Sequence, residues 1–338
     1  MRTRAVVLIA SLLLAATSPA AAVVIKLGTV APEGSPWHDT LRDIAAAWQK
    51  LSNGQVTLRI YPGGVAGDES DMLRKMRIGQ LNAAALTSGG LGDVIPEMKA
   101  LTFPLLVRSD AEMAAVFAKL GPRLSAGLEA KGYKVLNWSS AGWVHFFSRK
   151  PVTLPEDLRS QKLFFWGSDP QYVELLKQSG FQPMSLAVTD LLPSLQTGLV
   201  DAFAAPPAAA LSFQWFALAP HMADLKWQPL PGATVVSAKA WGEIPAALRP
   251  QLEQAAADAG AKLQARIDQL NDQAVEAMRQ RGMKVTRVTP EAEERWRSLV
   301  RAKGIPVFVG ARFSREIFDA VEESLLEYRR SRGGGRAP

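Results

Sequence analysis

The stretch that decides the fold is LPEDLRSQKLFFWGSDPQYVELLKQSGFQPMSLAVTDLLPSLQTGLVDAFAAP, which runs from Leu154 to Pro206. It contains, in order, a PEDL segment, a short strand beginning at Lys162, a capped helix, a PM turn, an LQTG segment and a VDA segment before proline. Strands that alternate with short helices in this way predict an α/β unit with a largely parallel sheet.

The same alternation extends outward on both sides. Ser35-Pro36 opens a helix, since Ser caps free amides and Pro is tolerated at the first helical position. YPGG at 61–64 predicts a turn, and Asp68 caps the next helix. The pattern predicts strands at 24–29, 56–60, 82–87, 134–138, 143–148 and 233–239, and a helix at 110–120. The chain up to residue 239 is therefore predicted to be α/β.

The C-terminal third is predicted to be helical. Between Pro250 and Arg281 the sequence has no proline, which predicts one helix of about 30 residues. Such a helix is longer than one lobe, meaning one compact domain of this protein, is wide. A helix lying across two lobes explains that length. Further helices near 290–302 and 314–330 are expected to pack on the second lobe.

Composition narrows the class of protein. The chain has 338 residues, 48% of them hydrophobic, enough for a large core and two domains of ordinary size. It has no cysteine, which excludes disulfides, thiolate zinc sites, thiol catalysis and a lipid anchor on cysteine. Six of the seven net positive charges lie in residues 1–22 and in the last ten residues, so the body is nearly neutral. A groove for nucleic acid is not indicated.

Residues 1–22 have the pattern of a secretory signal peptide. Arg2 and Arg4 precede the apolar run Ala5–Ala16, and small residues up to Ala22 offer a cleavage site. The run is shorter than the roughly 20 residues that a bilayer span needs. We therefore expect cleavage near Ala22 and a periplasmic protein. The basic residues 331–338 are expected to form a disordered tail.

No residue set for catalysis stands out. The histidines (38, 145 and 221) are far apart, and no nucleophile or phosphate-loop motif occurs. Ser88-Gly89-Gly90 is interpreted as a turn rather than an anion cradle. Asp68, Glu69 and Asp71 are interpreted as residues that favour a helix start rather than as calcium ligands. We expect no enzyme, no cofactor and no metal site.

The order of motifs in 154–206 resembles the core of the periplasmic solute-binding proteins of TRAP transporters. YPGG at 61–64, the acidic helix start at 68–71, Ser88-Gly89-Gly90 and above all LQTGLVDA at 195–202 extend the resemblance over essentially the whole chain after the leader. It implies a two-lobed periplasmic-binding-protein fold with crossing strands and a long helix spanning both lobes. The expected division is 23–147 with 232–275 for lobe I, and 148–231 with 276–330 for lobe II.

The resemblance also implies where a solute binds, and there this chain departs from the family. The family's carboxylate-clamping Arg falls at Phe164, a second basic residue of one branch falls at Trp143, and an Asn falls at Ala205. A carboxylate desolvated against these side chains loses hydration without compensation. Aromatic residues also concentrate in 138–241, which hold 15 of the 26.

These observations lead to a hypothesis of a cleft for a small, largely apolar ligand, delivered to the small and large membrane subunits of a TRAP transporter. The candidate binding residues are Phe164, Trp166, Ala205 and Phe203 of lobe II, Trp143 of the crossing strand, and Trp37, Thr87 and Ser88 of lobe I. Thr87 and Ser88 would orient a hydroxyl or carbonyl group of the ligand.

Other hypotheses remain open. The ligand could be a dicarboxylate or keto acid held by a relocated cation, for which Arg149 and Arg59 are candidates. The protein could instead carry lipid or act as a scaffold without transport. A subgroup of the family lacks the clamping Arg and associates with a periplasmic tetratricopeptide-repeat protein, which makes such a partner an expectation here.

Overall fold

The computed structural model describes residues 22–166 and 170–332. The expected signal peptide therefore lies outside the described residues, apart from Ala22. Of the expected basic tail, Ser331 and Arg332 form the end of a helix, and the remaining residues also lie outside the described part.

Strands and helices alternate along the described residues. The strands are β1 (Val23–Thr29), β2 (Val56–Tyr61), β3 (Ala83–Thr87), β4 (Tyr133–Ser148), β5 (Lys162–Trp166), β6 (Gln182–Leu186), β7 (Ala202–Ala205), β8 (His221–Asp224), β9 (Gln228–Ser237) and β10 (Lys284–Arg287). The helices are α1 (Pro36–Leu51), α2 (Glu69–Arg77), α3 (Ser88–Val94), α4 (Met98–Leu101), α5 (Asp110–Ala130), α6 (Pro155–Arg159), α7 (Pro170–Gln178), α8 (Leu191–Thr197), α9 (Pro207–Ser212), α10 (Ala238–Glu243), α11 (Arg249–Gln264), α12 (Ile267–Gln280), α13 (Pro290–Leu299), α14 (Ile305–Phe308) and α15 (Arg315–Arg332).

Two lobes share one strand network. The strand order is β2-β1-β3-β9-β4-β7-β5-β6, in which β1–β3 pair in parallel at one end and β5–β7 pair in parallel at the other. Between them β4 and β9 run antiparallel to their neighbours. The predicted α/β fold with two lobes and crossing strands is confirmed. Below, lobe I denotes β1–β3 with the helices packed on them, and lobe II denotes β5–β7 with theirs.

Local sequence signals set the helix starts that the pattern predicted. The Ser35 hydroxyl accepts a hydrogen bond from the His38 amide, and Pro36 occupies the first turn. Asp68 caps α2 by accepting from the Glu69 amide at 2.8 Å. The Ser88-Gly89-Gly90 segment, expected as a turn, begins α3 instead. Two of its amides are already occupied, because Gly89 donates to the Thr87 hydroxyl and Gly90 to the Glu69 carboxylate.

The strand β4 carries the chain from one lobe to the other. The separate strands expected at 134–138 and 143–148 are one strand of 16 residues, which pairs with β9 along its first part and with β7 and β8 at its end. Its pairing with β9 shifts between Ser140 and Trp143, where β4 has one residue more than its partner. Such a bulge bends a strand and reverses which face the following side chains occupy.

A glycine and an asparagine fix this bulge. Gly142 has a φ of 92°, which favours glycine, and a Cβ there would lie 2.4 Å from Asn271 Nδ2. Asn271 is buried on α12, donates to the carbonyls of Ala141 and Ile267, and accepts from the Ala208 amide. One side chain thus joins the crossing strand to α12 and to the start of α9.

The long helix expected beyond Pro250 is two helices. The segment is interrupted at Ala265 and Arg266, so that α11 ends at Gln264 and α12 begins at Ile267. Neither residue is a helix breaker, and packing accounts for the interruption. The first half lies on α1 and the second on α9, so each half follows its own lobe while both contact β4.

The C-terminal helix α15 is expected on the second lobe, but its main packing partners are two helices outside β5–β7. It lies against α5 and α4, where Arg329 pairs with the buried carboxylate of Glu112 at 2.8 Å. Lys119 pairs with Glu327 on the same face. The preceding helix does pack on lobe II, because Trp296 of α13 stacks with Phe146 and Phe181.

The hydrogen bonds by which Asn271 braces the bulge of β4 give the first prediction. We expect Asn271→Ala to lower the free energy of unfolding by about 2–4 kcal/mol, because it leaves buried backbone groups without partners. Gly142→Ala should also destabilise the parent, in which the added methyl group meets Asn271. In the Asn271→Ala background the same change should cost less, since that contact is gone. Chemical denaturation of the four proteins measures the cycle. Gln254→Ala, on the exposed face of α11, is the control; equal costs of Gly142→Ala in both backgrounds would contradict the brace.

Candidate ligand-binding cleft

A cavity of about 670 Å³ lies between the lobes. It opens where the carboxyl ends of the parallel strands of both lobes meet, at Thr29 of β1, Thr87 of β3, Trp166 of β5 and Ala205 of β7. In α/β sheets this edge is the usual place for a ligand, because loops there can present side chains and backbone groups to it. The volume is in the range of small-molecule sites.

The two walls of the cleft differ in chemistry. The lobe I side and the crossing strands present polar side chains, namely Thr29, Asp68, Glu69, Thr87, Ser88, Asn137, Ser139, Ser140 and Thr234. The lobe II side presents aromatic rings, namely Phe164, Phe165, Trp166, Tyr172, Phe213 and Trp215. A molecule between them therefore meets most of the uncharged hydrogen-bonding side chains on one side and most of the aromatic rings on the other.

Phe164 lies where the sequence placed it. Its ring is 7% exposed and lines the cavity from the middle of β5. The flanking Lys162 points elsewhere, because its Nζ donates to the Gly198 carbonyl at the end of α8. Phe164, Trp166, Ala205, Trp37, Thr87 and Ser88 all line the cavity.

Trp143 does not line the cavity. Its indole Nε1 donates to the Asp110 carboxylate at 3.0 Å, and Lys226 Nζ lies 5.2 Å from the ring centroid. The bulge at Ser140–Trp143 is the reason, because the extra residue turns Trp143 away and brings Val144 to the cavity wall. The resemblance to the family placed Trp143 in the cleft, whereas the structure places its side chain outside the cavity.

Phe203 does not line the cavity either. It shares a strand face with Ala205 but lies one step further from the end of β7. There it is fully buried, stacked on Phe147 at 5.1 Å and packed edge-on against Trp215. Its role is to support the aromatic wall from behind.

Glu69 is a buried acid at the cavity wall whose role the sequence did not reveal. Its carboxylate accepts hydrogen bonds from the Thr87 amide (2.7 Å), the Thr87 hydroxyl (2.9 Å) and the Gly90 amide (2.8 Å). Burial outweighs these bonds and raises the pKa of Glu69 from 4.5 to about 7. Asp68 and Asp71 fit the expected helix-start role, but Glu69 instead ties α2 to the start of α3.

Asp68 connects the two lobes directly. Besides capping α2, its carboxylate accepts from the Trp166 indole Nε1 at 2.9 Å and from the Val188 amide at 3.3 Å. Trp166 and Val188 both belong to lobe II, so one lobe I side chain binds two lobe II donors at the rim of the cavity. This contact holds the lobes together beside the cavity.

Neither cation proposed from the sequence reaches the cleft. Arg149 donates to the Leu195 carbonyl and pairs with Asp201 at 3.4 Å, so it closes the end of α8. Arg59 is exposed and lies over the Tyr61 ring.

Other basic side chains do line the cavity, and the sequence pattern gave no signal for them. They are Lys99, Lys303 and Arg312. Lys99 Nζ lies 3.5 Å from Asp93 Oδ1, and the Arg312 guanidinium lies over the Tyr172 and Phe308 rings. Because Asp68, Glu69 and Asp93 line the same cavity, the wall carries both signs of charge.

Trp37 offers an unused hydrogen-bond donor. Its ring lines the cavity, and its indole Nε1 is buried without a hydrogen-bond partner among the residues that the structure describes. Buried donors are nearly always paired, which makes this group a candidate to bind an oxygen of a ligand.

Two further features bear on function. In the part of the chain that the structure describes, His, Cys, Asp and Glu side chains form no group of three or more that could hold a metal ion. None of the helices in residues 22–166 and 170–332 combines the length and apolar character that a bilayer span requires.

The fold and the interlobe cleft define a two-lobed solute-binding protein, and comparison with known proteins identifies the family. The model of the DctP family, described as bacterial extracellular solute-binding protein, family 7, matches residues 27–303. This chain therefore belongs to that family. It is 24% identical over 293 residues to the C4-dicarboxylate-binding periplasmic protein DctP of Rhodobacter capsulatus, covering 86% of this chain and 88% of that protein.

Solved structures show the same fold. The sugar acid binding protein DctPAm of Advenella mimigardefordensis, in complex with galactonate, superposes with a TM-score of 0.85 at 20% identity, covering 91% of this chain and 99% of that chain. A TRAP periplasmic solute-binding protein of Ralstonia eutropha with bound (S)-2-acetolactate gives a TM-score of 0.83 at 23% identity, covering 90% and 99%.

The raised pKa of Glu69 gives a prediction of pH dependence. A carboxyl group whose pKa is higher in the folded state contributes stability that is complete below pH 4.5 and lost as the pH rises through about 7. We expect the melting temperature of the parent to fall over this window relative to that of Glu69→Gln. Thermal melts from pH 4.5 to 8 measure the difference.

The matched control is Asp71→Asn on the same helix. Hydrogen bonding from Arg74 lowers the pKa of Asp71, so its contribution is lost only in more acidic solution. A constant difference between the parent and Glu69→Gln across the window would show that Glu69 does not titrate there.

The bridge between Asp68 and lobe II gives a third prediction. We expect Trp166→Phe, which keeps the ring but removes the donor, to couple with Asp68→Ala by about 1–2 kcal/mol in the free energy of unfolding. Trp143→Phe removes a similar indole–carboxylate bond outside the cavity and should be additive with Asp68→Ala. Denaturation of the two double-mutant cycles measures both couplings. Additivity in the Trp166 cycle would mean that this bond does not hold the lobes together.

Proposed function

We propose that this protein is the extracytoplasmic solute-binding component of a TRAP-type transporter and binds a small, largely apolar ligand between its lobes. The observation that carries the proposal is the position of Phe164 in the wall of a cavity that Phe165, Trp166, Phe213 and Trp215 also line. An apolar group gains from leaving water on such a wall, whereas a carboxylate would lose hydration there.

Side chains on the lobe I side of the cleft would orient the ligand. Trp37 Nε1 can donate to a ligand oxygen, and Ser88 lines the same wall. Thr87 is already engaged with Glu69, so it acts mainly by holding that wall in shape. Closure of the lobes around the ligand would present it to the small and large membrane subunits.

The proposed function also implies where the protein acts and with which partner. The protein would act in the periplasm after cleavage of the leader near Ala22, which N-terminal sequencing of the exported protein tests. The absence of an arginine at position 164 supports a place in the subgroup that works with a tetratricopeptide-repeat partner. Co-purification of such a protein from the periplasm tests this part separately.

A second candidate function is the binding of an organic acid. Lys99, Lys303 and Arg312 line the cavity and supply positive charge, although not on the strand where the family clamps its carboxylate. Related structures contain galactonate, (S)-2-acetolactate and succinate. Micromolar binding of such acids by the parent protein would favour this candidate over the apolar ligand.

The deciding experiment begins with the parent protein. Native mass spectrometry of the purified protein, followed by extraction and identification of the bound molecule, provides the ligand. Titration calorimetry then compares that molecule with succinate, galactonate and 2-acetolactate. We expect the acids to bind weakly or not at all.

Phe164→Arg tests the site itself. We expect this variant to bind the extracted ligand at least about tenfold more weakly and to gain affinity for the acids, because a guanidinium offers a carboxylate paired, charge-assisted hydrogen bonds. Phe164→Leu keeps the wall apolar and is the matched control. If Phe164→Arg and the parent bind the same ligand equally, Phe164 does not contact it.

A further inference from the structure

The cavity does not end at the cleft but continues into the core of lobe II. Ten residues that line it belong to the apolar cluster behind β5 and β7: Phe146, Leu158, Leu163, Leu176, Phe181, Ala204, Trp227, Trp296, Leu299 and Val300. We call the space they line the apolar branch. It lies on the Leu163 face of β5, opposite to the face that carries Phe164.

Aromatic rings form much of the wall of the branch. Trp296 stacks with Phe146 at 5.4 Å and with Phe181 at 6.4 Å, and meets Trp227 edge-on at 5.5 Å. Its indole Nε1 already donates to the Thr153 carbonyl at 2.9 Å, so the ring presents no free donor. Nearby, Ser179 is a polar side chain that also lines the cavity.

Such a space is unusual inside a folded lobe. Protein interiors pack as densely as organic crystals, and apolar cavities that do exist stay dry and accept apolar molecules. A hydrocarbon group placed there would leave water and gain contacts with the rings. A charged or strongly polar group would find too few partners in the ring wall.

The two ends of the continuous cavity therefore suit two different parts of one molecule. The cleft end has the unpaired Trp37 donor, Ser88 and the basic side chain of Lys99, whereas the branch is lined by hydrocarbon. We propose that the ligand is amphipathic, with a small oxygen-bearing head in the cleft and a hydrocarbon chain that enters the apolar branch. This inference rests on the proposed solute-binding function and specifies its ligand class.

The test uses a homologous series on the full chain. Calorimetry would measure n-alkanoic acids of four, six, eight and ten carbons, and the matching n-alkanols, below the concentrations at which they form micelles. We expect affinity to rise by about fourfold per methylene group until the branch is filled. The comparison of acids with alcohols reports which head the cleft accepts.

Matched variants test where the hydrocarbon chain of the ligand lies. Ala204→Leu adds bulk inside the branch and should abolish the gain in affinity with chain length. Ala209→Leu makes the same change in another part of the cavity wall and should retain the gain. If Ala204→Leu fails to fold, Leu176→Ala enlarges the branch instead and should shift the best chain length upward.

The outcomes separate this inference from the proposed function. Equal affinity for four and ten carbons, or equal chain-length dependence in Ala204→Leu and Ala209→Leu, overturns the branch as a binding site but leaves the cleft intact. Micromolar binding of succinate or galactonate with no binding of the alkyl series overturns both proposals. Absence of binding by the whole alkyl series also overturns the branch.

Discussion

The structure depends on one constraint, which is that both lobes are built on the same pair of antiparallel strands. β4 and β9 pair with each other, while β3 lies against β9 on one side and β7 lies against β4 on the other. Any change in the path of β4 therefore moves one lobe relative to the other. The bulge at Ser140–Trp143 is where that path bends, and Asn271 binds the backbone there. The interrupted helix pair α11–α12 follows the same bend from outside.

Two neighbouring acidic residues of the cleft bind different partners. Asp68 binds donors of lobe II, and Glu69 binds amides of lobe I, although both stand at the start of α2. The start of α2 therefore carries both the contact that joins the two lobes and the contacts that hold the polar wall of the cleft in place. Because Glu69 is buried beside the cavity and its pKa is raised to about 7, the charge of that wall depends on pH in the neutral range. A ligand with a polar head would pass close to Glu69 when it enters the cleft.

Much of the fold and part of the cleft could be predicted from the sequence, and the failures have physical causes. Phe164 and Ala205 line the cavity, where the resemblance to the family places them, because the order of motifs along the chain fixes the alignment. Trp143 was misplaced because one extra residue in a strand reverses the faces, and only Gly142 hints at it. Glu69 was missed because an acid in a first helical turn is ordinary until its burial is known. The apolar branch was invisible because a ring that lines a cavity and a ring that fills a core look alike in sequence.

The strand order also constrains how the chain must fold. β9 fits between β3 and β4, yet the lobe II strands β5, β6 and β7 lie between β3 and β9 along the chain. The N-terminal lobe thus cannot complete its sheet until residues of β9 are present, whereas the parallel strands of lobe II are closer neighbours in sequence. Contacts between such distant segments form slowly, because a long loop must close first. As the chain emerges during synthesis, the first lobe to appear would therefore be the last to finish, with the edge of β3 left unpaired in the meantime.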